Sequence, residues 1–145
     1  MGGCGLESVE DLRDMYNNFG RLAISQGLPP ANRTHRENWI DRLIECGRNF
    51  LAWDEGRAIA HCSLIPDYDR GDAEYIIFVN ERYRNRGIGT ALTVLALQTA
   101  GSMGLTTIWL TVESYNFRAI RLYRNAGFVF ADEGGERERT MMLRL

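Results

Sequence analysis

The sequence predicts a single α/β domain with one mixed sheet flanked by helices, and three observations predict it. The chain has 145 residues, enough to bury one sizeable core and too few for two ordinary domains. Segments with helical apolar spacing alternate with short runs of β-branched and aromatic residues. No internal repeat is visible, so a layered α/β architecture over residues 1–145 is the expectation.

The elements follow in order. Ser8 precedes "VEDLRDMYNNF", in which Leu12, Met15, Tyr16 and Phe19 share one helical face, with Asp11 completing a capping pattern and Gly20 as the stop. "QGLPPANR" is a loop by its Gly and Pro content. Thr34 is placed to cap "HRENWIDRLIECG", whose Trp39, Ile40, Leu43 and Ile44 form one side. "NFLAWD" and "RAIAHCSLI" flank Glu55-Gly56, a compact hairpin signal. "AEYIIFVN" is almost continuously apolar, which places it as a central strand. From Gly89, residues Leu92, Leu95, Ala96 and Thr99 make a helical stripe ending at Gly101. "TTIWLTV" is a second buried strand. Asn116 caps "FRAIRLYRNA", Gly127 stops it, and "FVFADE" and "TMMLRL" close the domain around the turn "GGER".

Composition narrows the function. The net charge of −2 and a pI near 5.7 give no general attraction to nucleic acid. No apolar run approaches the roughly 18 residues of a membrane span, and "MGGCGLESVEDL" does not read as a secretion signal, so the expectation is a cytoplasmic protein. Cys4, Cys46 and Cys62 are odd in number and widely spaced, which fits neither a disulfide framework nor a zinc site. All 17 basic residues are Arg. The chain therefore has no lysine for its own chemistry to modify.

The segment "RNRGIGTAL", Arg84 to Leu92, lies where a strand gives way to a helix. Unpaired N–H groups of a helix start, with the partial positive charge there, favour a phosphate. Gly87 and Gly89 let backbone approach a ligand closely. Arg84 and Arg86 add charge-assisted contacts. A P-loop would need a lysine where Thr90 stands, and a dinucleotide fingerprint would need a third glycine where Leu92 stands.

"RNRGIG" after "FVNERY", followed by "VESYNFRAIRLYRNAGF" after the next strand, resembles the acetyl-CoA signature of the GNAT superfamily of N-acetyltransferases. The likeness runs from about Ala73 to Phe128, with Asn116, Leu122, Tyr123, Gly127 and Phe128 at the family's spacing. It implies a mostly antiparallel mixed sheet whose two central strands splay apart after a bulge, with acetyl-CoA as co-substrate and no metal. By the resemblance Phe78 and Val79 offer backbone groups to the pantetheine arm. Residues Arg84, Asn85, Arg86, Gly87, Ile88, Gly89 and Thr90 cradle the pyrophosphate, and Asn116 touches the arm or caps its helix.

Transfer of acetyl to an amine needs a neutral amine, stabilisation of the oxyanion and a partner for the leaving thiolate. Tyr123 matches the family's general acid. A Tyr pKa near 10 against a thiol near 8.5 makes full proton transfer uphill by roughly 2 kcal/mol, so a hydrogen bond to thiolate is as good a description. Glu74 matches a family carboxylate that deprotonates the amine through water; Glu113 and water itself are the alternatives. The acceptor is a small-molecule or peptide amine, and a homodimer is compatible. A non-catalytic acyl-CoA-binding module is the alternative function. The family opens with a strand, yet only "MGGCGL" precedes Ser8. That strand is short, or missing, or replaced by another subunit at the edge.

Overall fold

A computed structural model describes residues 2–4 (backbone only), 9–17, 32–131 and 137–145. Among the described residues seven strands form one sheet: β1 (Gly2–Cys4), β2 (Arg48–Asp54), β3 (Arg57–Asp67), β4 (Asp72–Val79), β5 (Thr107–Glu113), β6 (Val129–Phe130) and β7 (Glu138–Arg144). Their order is β1-β2-β3-β4-β5-β7-β6, and every neighbouring pair is antiparallel except β4–β5. The α-helices among the described residues are α1 (Val9–Asn17), α2 (Arg33–Cys46), α3 (Ile88–Ser102) and α4 (Phe117–Ala126).

The first strand is present and short. Its three residues pair with Leu51, Phe50 and Asn49 and cover that edge of β2. Ser8, Phe19, Gly20, most of the "QGLPPANR" loop and most of the "GGER" turn lie outside the described residues. α2 begins one residue before Thr34, because the Asn32 side chain accepts a hydrogen bond from the His35 N–H at 3.0 Å and caps the helix first. The hairpin at Glu55-Gly56 has positive φ at both residues, 50° and 78°, the pattern of a two-residue turn that matches strand twist. α3 runs through Gly101 and stops one residue short of Met103; Gly104, at φ 76°, makes the left-handed turn there. "FVFADE" contributes only the two residues of β6.

Side chains alternate across the sheet and build a core on each face. Tyr75 and Ile77 of β4 with Ile108, Leu110 and Val112 of β5 pack beneath α3 and α4. Ile76 and Phe78 point the other way, into a cluster with Leu12, Met15 and Tyr16 of α1 and Ile40 and Leu43 of α2. β4 is buried on both faces, as its unbroken apolar run requires.

A buried polar chain pins α1 to the sheet. The two amide hydrogens of Asn49 are taken by the carbonyls of Leu43 and Gly47, at 2.8 and 3.2 Å. Its Oδ1 must therefore accept from His61 Nε2, 2.8 Å away, which leaves His61 Nδ1 as the acceptor for the Tyr16 hydroxyl at 2.6 Å. His61 is fully buried, and burial lowers its pKa to about 3. It is a neutral structural histidine.

Candidate active site

The parallel pair β4–β5 is joined at only three positions, Asp72↔Thr107, Ala73↔Ile108 and Glu74↔Trp109. Beyond Glu74 the strands separate. β4 stays in unbroken register with β3 from Asp72↔Asp67 to Val79↔Ala60, so the splay occurs without a bulge in that pairing. The register shift lies one strand over, between β2 and β3 at Ala52/Trp53, which leaves Ile59 outside the ladder. The Ile59 carbonyl accepts the Asn80 N–H at 2.9 Å instead.

That bond fixes which backbone groups face the gap. Hydrogen-bonded and non-hydrogen-bonded pairs alternate in an antiparallel ladder. With Asn80 bonded to Ile59, Phe78 directs its N–H and C=O at β3, while those of Ile77 and Val79 face the gap. Across it, Leu145 N–H to Thr106 C=O and Ser114 N–H to Arg137 C=O set the phase of β5, so Thr111 and Glu113 face inward. Of the two residues expected to offer backbone to an acyl chain, Val79 turns its own groups to the gap; Phe78 also lines the cavity, but its N–H and C=O face β3 and its ring packs in the α1/α2 cluster.

A cavity of about 620 Å³ opens at this end of β4, between the first turns of α3 and α4. Phe78, Val79, Arg84, Asn85, Gly87, Ile88, Gly89, Thr90, Asn116 and Tyr123 line it, so most of the expected residues come together there. Two do not. The Arg86 guanidinium lies over the Tyr83 ring, 5.3 Å from its centroid, and Arg86 lines a smaller recess with Trp53 and Ile59. Glu74 sits at the closed end of the splay, on the α1/α2 face and outside the cavity lining. Burial pushes its carboxyl pKa up, and the charge of Glu138 adds to this.

The start of α3 suits an anion. α2 is capped by Asn32 and α4 by Asn116, but Gly87 offers no side-chain cap, and the first bond of the helix is Ala91 N–H to the Gly87 carbonyl. Ile88, Gly89 and Thr90 thus precede the first intrahelical donor. Asn85 and Gly87 both have positive φ, 62° and 79°, the left-handed conformation from which backbone anion nests are built. A Cβ on Gly89 would meet Leu122 Cδ2 at 3.3 Å and Val79 Cγ2 at 3.8 Å, narrowing the cradle. Among the described residues no carboxylate lines the cavity, and three arginines do: Arg84, Arg118 and Arg121. Burial lowers the pKa of Arg84, and the positive charge of Arg118 lowers it further. The residues fit a pyrophosphate on a narrow chain.

Arg118, Arg121, Asn125 and Phe117 escaped the sequence reading. The first three are spaced by three and four on α4, one helical face, a pattern that a solvated face shows equally. Asn116 caps α4 through Oδ1, which accepts the Ala119 N–H at 3.3 Å, leaving its amide nitrogen for a bound molecule. Tyr123, 1% exposed, packs edge-on against Phe128 at 5.9 Å and also lines the cavity. Tyr75, Thr93 and the Gly89 carbonyl form a buried chain, at 2.9 and 2.7 Å, that ties the first turn of α3 to β4. Cys62 is buried, with its thiol pKa pushed up to about 12, chiefly by burial, and is no nucleophile.

Among the described residues no three His, Cys, Asp or Glu side chains gather to hold a metal, and no helix is long and apolar enough to cross a membrane.

Comparison with known proteins bears on this geometry. The profile of the acetyltransferase (GNAT) family matches residues 9–128. The L-methionine sulfoximine/L-methionine sulfone acetyltransferase of Pseudomonas aeruginosa is 24% identical over 131 residues, 86% of this chain and 76% of that protein. The mycothiol acetyltransferase of Beutenbergia cavernae is 33% identical over 95 residues, 63% of this chain but 30% of that protein. Among solved structures, the GNAT domain of S. lividans PAT superposes with a TM-score of 0.82 at 15% identity, covering 99% of this chain and 88% of its own.

Proposed function

Given that the chain belongs to the GNAT family and is an acetyl-CoA-dependent N-acetyltransferase, we propose that its acceptor is a small-molecule primary amine entering from the α1/α2 face of the sheet. The observation that carries this is the gap between β4 and β5 with a cavity on one side of it. Its α3/α4 side holds the arginine-lined cavity, so the cofactor occupies that side and the acceptor approaches from the other. The relatives described above act, by their names, on small molecules, which supports the same class here.

Bound acetyl-CoA supplies an acyl group activated as a thioester. The N–H groups of Ile88, Gly89 and Thr90, with Arg84, Arg118 and Arg121, hold its phosphates at the start of α3. Arg86, turned onto Tyr83, serves the loop rather than the phosphates. The backbone of Val79 orients the acyl chain along the open edge of β4, and Asn116 touches it through the amide nitrogen. Tyr123 donates a hydrogen bond to the departing sulfur as the amine nitrogen bonds to the carbonyl carbon and the C–S bond breaks. Glu74 receives the amine's proton through water, its raised pKa bringing it nearer that of the amine.

The test is thiol release across a panel of primary amines with wild type and Tyr123→Phe. The variant should lose about 100-fold in kcat while keeping its affinity for acetyl-CoA. An unaltered kcat removes Tyr123 from the chemistry.

A further inference from the structure

The face of the sheet opposite the cofactor cavity changes character half way across. Over β2 to β4 it is largely apolar apart from the Asn49–His61 pair and Glu74, and α1 and α2 pack on β2 and β3. On β5 and β7 the same face carries Trp109, Thr111 and Glu113 beside Glu138 and Thr140, by strand alternation. Glu113 and Glu138 are register partners, and the hydrogen-bond phase makes theirs a non-hydrogen-bonded pair, with Cα atoms typically about 4.5 Å apart. Like charges set directly opposite one another disfavour pairing.

Glu113 is also unusual by itself. The residue is only 9% exposed, its Oε2 is closed off from solvent, and that oxygen has no hydrogen-bond donor among the described residues. Its cationic neighbour is Arg137, whose Nε lies 3.5 Å from Oε2 on an otherwise exposed side chain, a long contact for an ion pair. Extending the β4–β5 register by four residues from Glu74↔Trp109 brings Glu113 level with Phe78 across the gap. A buried, under-bonded carboxylate thus stands at the reacting level, with a second carboxylate opposite it.

We propose that Glu113 and Glu138 form a seat for a positively charged group of the acceptor, so that the enzyme selects small amines bearing a second cationic group over amines bearing a carboxylate. The seat rests on the N-acetyltransferase reading and on entry of the acceptor from this face. An organic ammonium is the occupant rather than a metal ion, because among the described residues no third ligand-type side chain joins the two. The seated group is not the reacting nitrogen. A carboxylate in direct contact stabilises ammonium, and only the neutral amine attacks. The ammonium supplies the donors that Glu113 Oε2 lacks and relieves the repulsion from Glu138.

Three probes of one chain length separate the possibilities: 1,4-diaminobutane, n-butylamine and 4-aminobutanoate, whose far ends are positive, neutral and negative. With saturating acetyl-CoA, kcat/KM should fall by about tenfold at each step in that order, and the spread should narrow as salt is raised. Glu138→Gln, at an exposed site that leaves folding intact, should bring the diamine-to-monoamine ratio below about threefold through KM. Glu113→Gln should do the same with the KM for acetyl-CoA unchanged. A flat or reversed ranking in wild type, or a ratio that both variants leave intact, overturns the seat while leaving amine acetylation standing. If acetyl-CoA binds calorimetrically but no primary amine releases thiol, the amine-acceptor reading itself falls.

Discussion

Acid should unfold this protein through His61, and the effect can be isolated from all other titrations. The imidazole is fully buried between Tyr16 and Asn49, with a pKa lowered to about 3 by burial against about 6.5 in the unfolded chain. A group whose folded pKa is depressed contributes stability that is complete above the unfolded pKa and is lost as pH falls toward the folded one. The window is therefore pH 6.5 down to about 3. At pH 4.5 the unfolded histidine is protonated and the folded one is not. Two pH units at 1.36 kcal/mol each remove about 2.7 kcal/mol, a large share of the usual 5–15. His61→Gln keeps a donor and an acceptor at the site and cannot titrate. Urea unfolding at pH 7.5 and pH 4.5 should show wild type losing about 2.7 kcal/mol more than the variant, since the carboxylates common to both cancel in the difference. Parallel pH dependences would refute a neutral, buried His61.

Gly89→Val places methyl groups against Leu122 and Val79 in the phosphate cradle and should raise the KM for acetyl-CoA at least about tenfold; an unchanged KM would take the helix start out of the cofactor site. Arg118→Ala should weaken acetyl-CoA binding about 5- to 10-fold at low salt and less at high salt, measured calorimetrically; salt-independent loss would argue for packing instead of charge. Gly127 has φ 110°, and a Cβ there would lie 3.1 Å from Leu143 Cδ1, so Gly127→Ala should cost about 1–3 kcal/mol in thermal or urea unfolding with kcat preserved. Full stability in that variant would mean that another residue absorbs the turn.

Local signals carried the sequence reading furthest where they compete with nothing. The continuous apolar run of β4 demanded burial on both faces and has it. Asn116 and Gly127 bracket α4 because a side-chain cap and a left-handed stop are decisions made within a few residues. The misses share the opposite cause. Thr34 lost to Asn32, and Gly101 to Gly104, because adjacent residues offered equivalent chemistry and tertiary packing chose between them. A bulge at the splay was expected from the family likeness; the shift occurs between β2 and β3, and no single-strand pattern reveals pairing. In the site, Gly87, Gly89, Asn116 and Tyr123 were legible as a motif and meet in one cavity. Arg118 and Arg121 were not, since an arginine on a polar helix face reads the same whether it meets water or phosphate. The Glu113–Glu138 pairing depends on the register of strands separated by α4 and β6, which the sequence does not disclose.

The cofactor cavity and the proposed acceptor side lie on opposite faces of the β4–β5 gap and differ in sign: arginines line the cavity, and Glu113 and Glu138 stand on the other face. With the reactants on opposite faces, as proposed, neither has to leave before the other arrives, and the expected rate law is that of a ternary complex with no obligatory modified-enzyme stage. By the seat proposed above, acetylation leaves the held ammonium untouched, so the acidic side keeps its grip on the product as the basic side keeps the phosphates of the spent carrier. Charge on the two faces therefore sets no order of departure.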